Sequence, residues 1–168
     1  MHKHRGFTIV ELLIVVVVIG ILAAIVTVAY TGITQRAENT KTVTGVNQAI
    51  KLLSLYKVTN GIYPNPGVTY VCLGSGYTSQ VCSTTTNGTT PQASENSTFA
   101  AALRSVGSLP QLSTKQLTLI SGQVNAGGTF QWNNSMIRYS LDGANASCDA
   151  GGTAYNYGNV TECRQILD

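Results

Sequence analysis

Apolar and polar positions divide the chain into three stretches. From Phe7 to Tyr30 it reads FTIVELLIVVVVIGILAAIVTVAY, with Glu11 as its only ionisable side chain. Coiled as a helix, this run rises about 36 Å, enough to cross a hydrocarbon core about 30 Å thick. It predicts a membrane helix. Beyond Tyr30, Val43, Val46, Ile50 and Leu53 recur at three- and four-residue spacing, Ala49, Leu52 and Tyr56 widen the stripe, and Thr44, Gln48, Lys51 and Ser54 cover another face. The helix therefore continues as an amphipathic one. Asn60-Gly61 and Pro64 predict its end, because glycine takes a left-handed cap and proline cannot continue a helix. The stripe needs a partner, which the residues from about 62 onward must supply. The chain thus divides into a leader (1–6), a transmembrane helix (7–30), an amphipathic continuation (31–61) and a head (62–168).

Within the head, Tyr63 to Pro91 is rich in Gly, Thr and Ser and reads as an irregular loop with short strands. Ser97 predicts the N-cap of a short helix through Phe99, Ala102, Leu103 and Val106, ending near Gly107 and Pro110. Strand-like runs follow at Leu117–Val124, Thr129–Asn133, Met136–Leu141 and Thr153–Tyr157. The turn signals between them are Ala126-Gly127-Gly128, Asn133-Asn134 and Asp142-Gly143. Short connections of this kind predict an antiparallel meander, with the last segment from Cys163 to Asp168 at the sheet edge. The fold class expected is α+β: a long N-terminal helix whose second half packs on an antiparallel β-sheet head.

Charge narrows the function. Of 168 residues only 10% are charged and the formal net charge is +3, so the head owes its solubility to neutral polar groups. Nucleic-acid binding is not expected, because a polyanion-binding surface needs clustered Lys and Arg. Lys3 and Arg5 instead sit in the first five positions and place the helix N-terminus in the cytoplasm, sending everything after Tyr30 across the membrane. That is the side on which disulfides persist. The four cysteines, Cys72, Cys82, Cys148 and Cys163, allow three pairings. Cys72–Cys82 with Cys148–Cys163 is favoured, because the shortest loops close with least entropy loss.

Other chemistry finds little support. A zinc site would need close C-x-x-C spacing, and no histidine follows His4. Without histidine there is no triad or dyad, and oxidised cysteines supply no nucleophile, so neither catalytic residues nor a cofactor or metal is expected. Asp142, Asn145 and Asp149 lie close enough to suggest a calcium loop, but turn chemistry accounts for them more simply. The N-x-S/T triplets at Asn87, Asn96, Asn133, Asn145 and Asn159 follow from composition and do not argue for glycosylation.

The most specific feature is the string Arg5-Gly6-Phe7-Thr8-Ile9-Val10-Glu11-Leu12-Leu13. Gly6 lets a protease approach the backbone. Phe7 and Glu11, four apart, are expected to share a helix face. Glu11 gains from the positive end of the helix dipole, yet a carboxylate just ahead of a long apolar run calls for a partner. An ordinary secretory signal, cut after Ala29, has a shorter apolar core and no such carboxylate. The string resembles the class III leader of type IV prepilins and pseudopilins, and Asn60-Gly61-Ile62-Tyr63-Pro64 resembles a common end to that family's long helix. The resemblance implies cleavage between Gly6 and Phe7 by a prepilin peptidase, N-methylation of Phe7, and assembly of a homo-oligomeric filament by a platform protein and a secretion ATPase. Glu11 and Phe7 would be its assembly residues.

Two functions fit. One is the structural subunit of an extracellular pilus for adhesion or motility, and the other a pseudopilin of a type II secretion or DNA-uptake system. The paired cysteines and Thr/Asn-rich surface favour the first, because a sheared fibre gains from staples worth about 2–4 kcal/mol each. A membrane-tethered enzyme or binding module is disfavoured by the missing histidine.

Overall fold

A computed structural model describes residues 7–84, 91–112, 118–124 and 130–167. The chain divides into two compact units, Met1–Arg36 and Ala37–Asp168. Helix α1, Ile9–Asn60, is 52 residues long and contributes to both. Among the described residues it is the one helix long and apolar enough to cross a membrane. In the first unit every side chain from Phe7 to Val26 is exposed. None of that unit's described residues covers the apolar run.

In the second unit the remainder of α1 is amphipathic. Thr42, Val46, Ala49 and Leu53 are buried along one line of the helix, with Leu52 beside them, while Lys41, Thr44, Gln48, Lys51 and Ser54 are exposed. Val43 and Ile50, expected in the centre of the stripe, form its half-buried rim, and Thr42 takes the central place. The helix stops where the sequence predicts. Gly61 adopts φ 78°, its N–H donates to Lys57 O at 2.8 Å, and Pro64 is buried just beyond.

Among the described residues the sheet has seven strands: β1 (Tyr70–Cys72), β2 (Val81–Thr84), β3 (Pro91–Ser94), β4 (Thr118–Val124), β5 (Phe130–Asp142), β6 (Thr153–Tyr157) and β7 (Val160–Leu167). Their spatial order is β2-β3-β1-β4-β5-β7-β6. All pairings are antiparallel except β1 with β3, which meet at Val71↔Ser94 in parallel. Helix α2 (Ser97–Arg104) buries Phe99 and Leu103. These join Val71, Leu119, Ile120, Ile137, Tyr139 and Leu141 from the sheet, and Val46, Ala49 and Leu53 from α1, in one core. The arrangement is α+β.

Local expectations change in three places. Asn96, not Ser97, caps α2: its Oδ1 accepts from Phe99 N at 2.9 Å, and its Nδ2 donates to Pro66 O at 2.9 Å. An asparagine that ties the helix start to a preceding loop outcompetes the serine one position later. Asn133-Asn134 is no turn, because β5 runs through it. The pair falls where the β4 ladder slips, between Ser121↔Met136 and Gln123↔Gln131, so the turn signal is absorbed as an irregularity inside one long strand. The meander also fails. β7 lies between β5 and β6, so the C-terminal segment is not the edge. Thr161, Cys163 and Leu167 of β7 are buried, whereas every residue of β6 is exposed. The strand that buries side chains takes the inner place. The expected turn at Ala126-Gly127-Gly128 lies outside the described residues.

Candidate functional site

At the head of α1, Thr8 and Glu11 cap the helix reciprocally. Thr8 N–H donates to Glu11 Oε2 at 2.8 Å and the Thr8 hydroxyl donates to the same oxygen at 2.7 Å. In return Glu11 N–H donates to Thr8 Oγ1 at 3.2 Å. This is a capping box, in which a Thr and a Glu three residues on satisfy backbone donors that the first turn leaves open. Such a motif is legible as T-x-x-E before an apolar run, and Thr8 adds to the dipole account of Glu11 a direct hydrogen-bonded one. The box also moves Phe7. Because the helix begins at Ile9, Phe7 precedes the cap and does not share a helix face with Glu11. Its side chain is 83% exposed. Gly6 and the rest of the 1–6 leader lie outside the described residues.

The head's sulfur atoms are joined in two pairs, Cys72–Cys82 and Cys148–Cys163, with Cα–Cα separations of 5.8 and 5.7 Å. Among the described residues no cysteine is free and no group of three or more His, Cys, Asp or Glu side chains gathers as a metal site. Asn145 and Asp149 are engaged by side chains close in the chain, and Asp142 is held through its backbone. The Asp142 backbone N–H and C=O bond the Asn39 side-chain amide, Asn145 bonds Asn156, and the Ser147 hydroxyl donates to Asp149.

A capped apolar helix whose later turns complete the core of a sheet domain defines an α+β fold with a long N-terminal helix. The family model for the prokaryotic N-terminal methylation motif matches residues 1–27. Type II secretion system core protein G of Vibrio cholerae is 39% identical over 64 residues, 38% of this chain and 44% of that protein. Type IV wide pilus major component PilA4 of Thermus thermophilus is 34% identical over 74 residues, 44% of this chain and 56% of that protein. Type II secretion system core protein G of Escherichia coli K12 is 37% identical over 62 residues, 37% of this chain and 43% of that protein. The matches therefore span about half the length of these relatives. No solved structure matches the chain. The chain thus carries the prokaryotic N-terminal methylation motif over residues 1–27 and, over 37–44% of its length, is similar to proteins named as type IV pilus and type II secretion components.

Proposed function

We propose that the chain is the precursor of a polymerising type IV pilus subunit. Its helix holds it in the cytoplasmic membrane with the N-terminus inside, and prepilin peptidase cuts between Gly6 and Phe7. Phe7 is then N-methylated, and a platform protein and an assembly ATPase pass the subunit into an extracellular filament used for adhesion or motility. The new amine of Phe7 pairs with Glu11 of a neighbouring copy.

The observation that supports this reading is the exposure of every side chain from Phe7 to Val26 behind a capped carboxylate. So much contiguous apolar surface must be covered, by lipid before assembly and by other copies of the helix after it. A second reading, a pseudopilus within the envelope, is favoured by the relatives named core protein G of type II secretion. Deleting the gene separates the two. Loss of long surface filaments in electron micrographs, with protein export intact, is the expected result; loss of export with filaments intact would transfer the chain to the second reading.

A further inference from the structure

The two edges of the sheet are built differently. Against β3, strand β2 slips register twice, between Val81 and Ser83 and between Ser83 and Thr84. Such irregularities blunt an edge against further pairing. β6, at the opposite edge, pairs with β7 in unbroken register from Thr153↔Arg164 to Tyr157↔Val160. Its sequence, Thr-Ala-Tyr-Asn-Tyr, carries no charge and no proline, and all its residues are exposed. Among the described residues this edge carries no charge, proline or bulge on its own strand.

The hairpin sets the direction of the spare groups. Gly158 has φ 62° and opens the two-residue turn Gly158-Asn159, the form of a type II′ connection. Tyr157 and Val160 then form a hydrogen-bonded pair, and alternation along the ladder points the N–H and C=O of Ala154 and Asn156 away from β7. Among the described residues no strand lies beyond them.

The face beside this edge is ordered and aromatic. Tyr155 and Tyr157 are 41% and 56% exposed on one side of β6. The Arg164 guanidinium lies 4.3 Å from the Tyr155 ring centroid, its Nη2 donates to the Tyr157 hydroxyl at 2.9 Å, and its Nε donates to Glu162. Arg138 on β5 also grips Glu162, through Nε and Nη2, each at 3.0 Å. One carboxylate thus serves two guanidinium groups, and the pair keeps one positive charge in excess. Asp142 shares this face but stands two strands in from the edge, opposite Val160. A strand added to β6 would therefore meet Arg164 first. Tyr and Arg held in place lose little freedom on contact and are the residues that dominate protein interfaces.

We propose that the outer edge of β6, with the Tyr155–Arg164 face beside it, docks an extended polypeptide segment of a partner protein that carries an acidic side chain next to Tyr155. The segment adds to the sheet as a further strand. A second copy fits less well. Self-pairing of β6 would set two positive faces side by side, and the β2 edge slips register. An acidic glycan would suit Arg164 but would not supply alternating donors and acceptors at the two-residue spacing of Ala154 and Asn156.

The test uses the full-length chain in detergent and a dye-labelled peptide of alternating threonine and glutamate, read by fluorescence anisotropy. Binding is expected for this peptide and is expected to fall about tenfold or more when Lys replaces Glu, when alternate peptide nitrogens are methylated, or in Arg164→Gln and Ala154→Pro chains. The methylated probe keeps every charge and leaves the protein unaltered, so it decides the matter even if Ala154→Pro fails to fold. Equal binding of methylated and unmethylated peptides would overturn the proposal. So would displacement of the peptide by polygalacturonate at matched charge, which would assign the face to a glycan. Self-association that Ala154→Pro abolishes, with no peptide binding, would assign the edge to a second copy.

Discussion

Asn39 on α1 and Asp142 at the end of β5 exchange two hydrogen bonds, Asn39 Nδ2 to Asp142 O and Asp142 N to Asn39 Oδ1, each 2.8 Å long. The side-chain amide presents a donor and an acceptor as a neighbouring strand's peptide would, and so closes the end of β5 against the helix. With each bond worth about 1 kcal/mol, Asn39→Ala is expected to cost the second unit about 2 kcal/mol. Asn39→Asp keeps the acceptor but loses the donor, and should cost a similar amount. Thermal melts of the purified chain measure both; an unchanged midpoint in either variant would show that water replaces the amide without loss.

Reduction should weaken the head without dismantling its sheet. The Cys72–Cys82 and Cys148–Cys163 bonds span sequence separations of 10 and 15 residues. Loop-closure entropy then assigns each about 3 kcal/mol. Cys163 is wholly buried on the inner strand β7, so Cys163→Ser places an extra polar group in the core and should cost more than Cys148→Ser. Urea denaturation of the two serine variants compares them, and equal midpoints would contradict the burial argument.

Alkali supplies a third test. Tyr139 is buried, and burial pushes its phenol up to about 12 from an ordinary 10.0, with its hydroxyl donating to Gly151 O at 3.0 Å. Tyr77, buried beside Thr118, is pushed up as well. Because the folded state holds these protons more tightly than the unfolded chain, their stabilisation is intact below pH 10 and is lost as the pH climbs towards 12. The loss approaches about 1.4 kcal/mol per pH unit per group. Tyr139→Phe should flatten that slope while lowering stability at pH 7 by about 1 kcal/mol through the missing hydrogen bond. A variant with the same alkaline slope as the parent would remove Tyr139 from the account.

How much of this was legible depended on whether a signal was local. Asn60-Gly61 ends α1 because a cap needs only its own residues, and Val46 and Leu53, on the stripe that helical period marks out, are buried. The strand order was not legible. β6 and β7 differ in how much each buries, which depends on the sheet they join, and Asn133-Asn134 reads as a turn until β4 is laid beside it. Thr42 shows the same limit from the other side, since a polar residue in the buried stripe is recognised only once the sheet covers it. At the N-terminus the missing element was Thr8. Its T-x-x-E pattern is local, but a carboxylate ahead of an apolar run fits a charge partner as well as a cap, and only the geometry of Thr8 distinguishes the two.

The capping box makes the assembly role proposed for Glu11 separable from its structural one. Thr8 holds Oε2 through its N–H and its hydroxyl, so a bond to the amine of Phe7 in a neighbouring copy would fall to the other oxygen. Glutamine can still cap, because its carbonyl oxygen accepts from Thr8 as the carboxylate does. It cannot neutralise an amine. Valine does neither, and Thr8→Val removes the hydroxyl while leaving the charge. In an apolar filament core an unpaired amine is costly, and pairing it also fixes the axial stagger of the helices. Glu11→Gln and Glu11→Val are therefore both expected to be exported and cut at Gly6 yet to yield few or no fibres, whereas Thr8→Val should still polymerise. Filament yield, with cleavage confirmed by mass spectrometry of the N-terminus, reads the outcome. Normal fibres from Glu11→Gln alongside none from Glu11→Val would make the cap, and not the charge, what assembly requires.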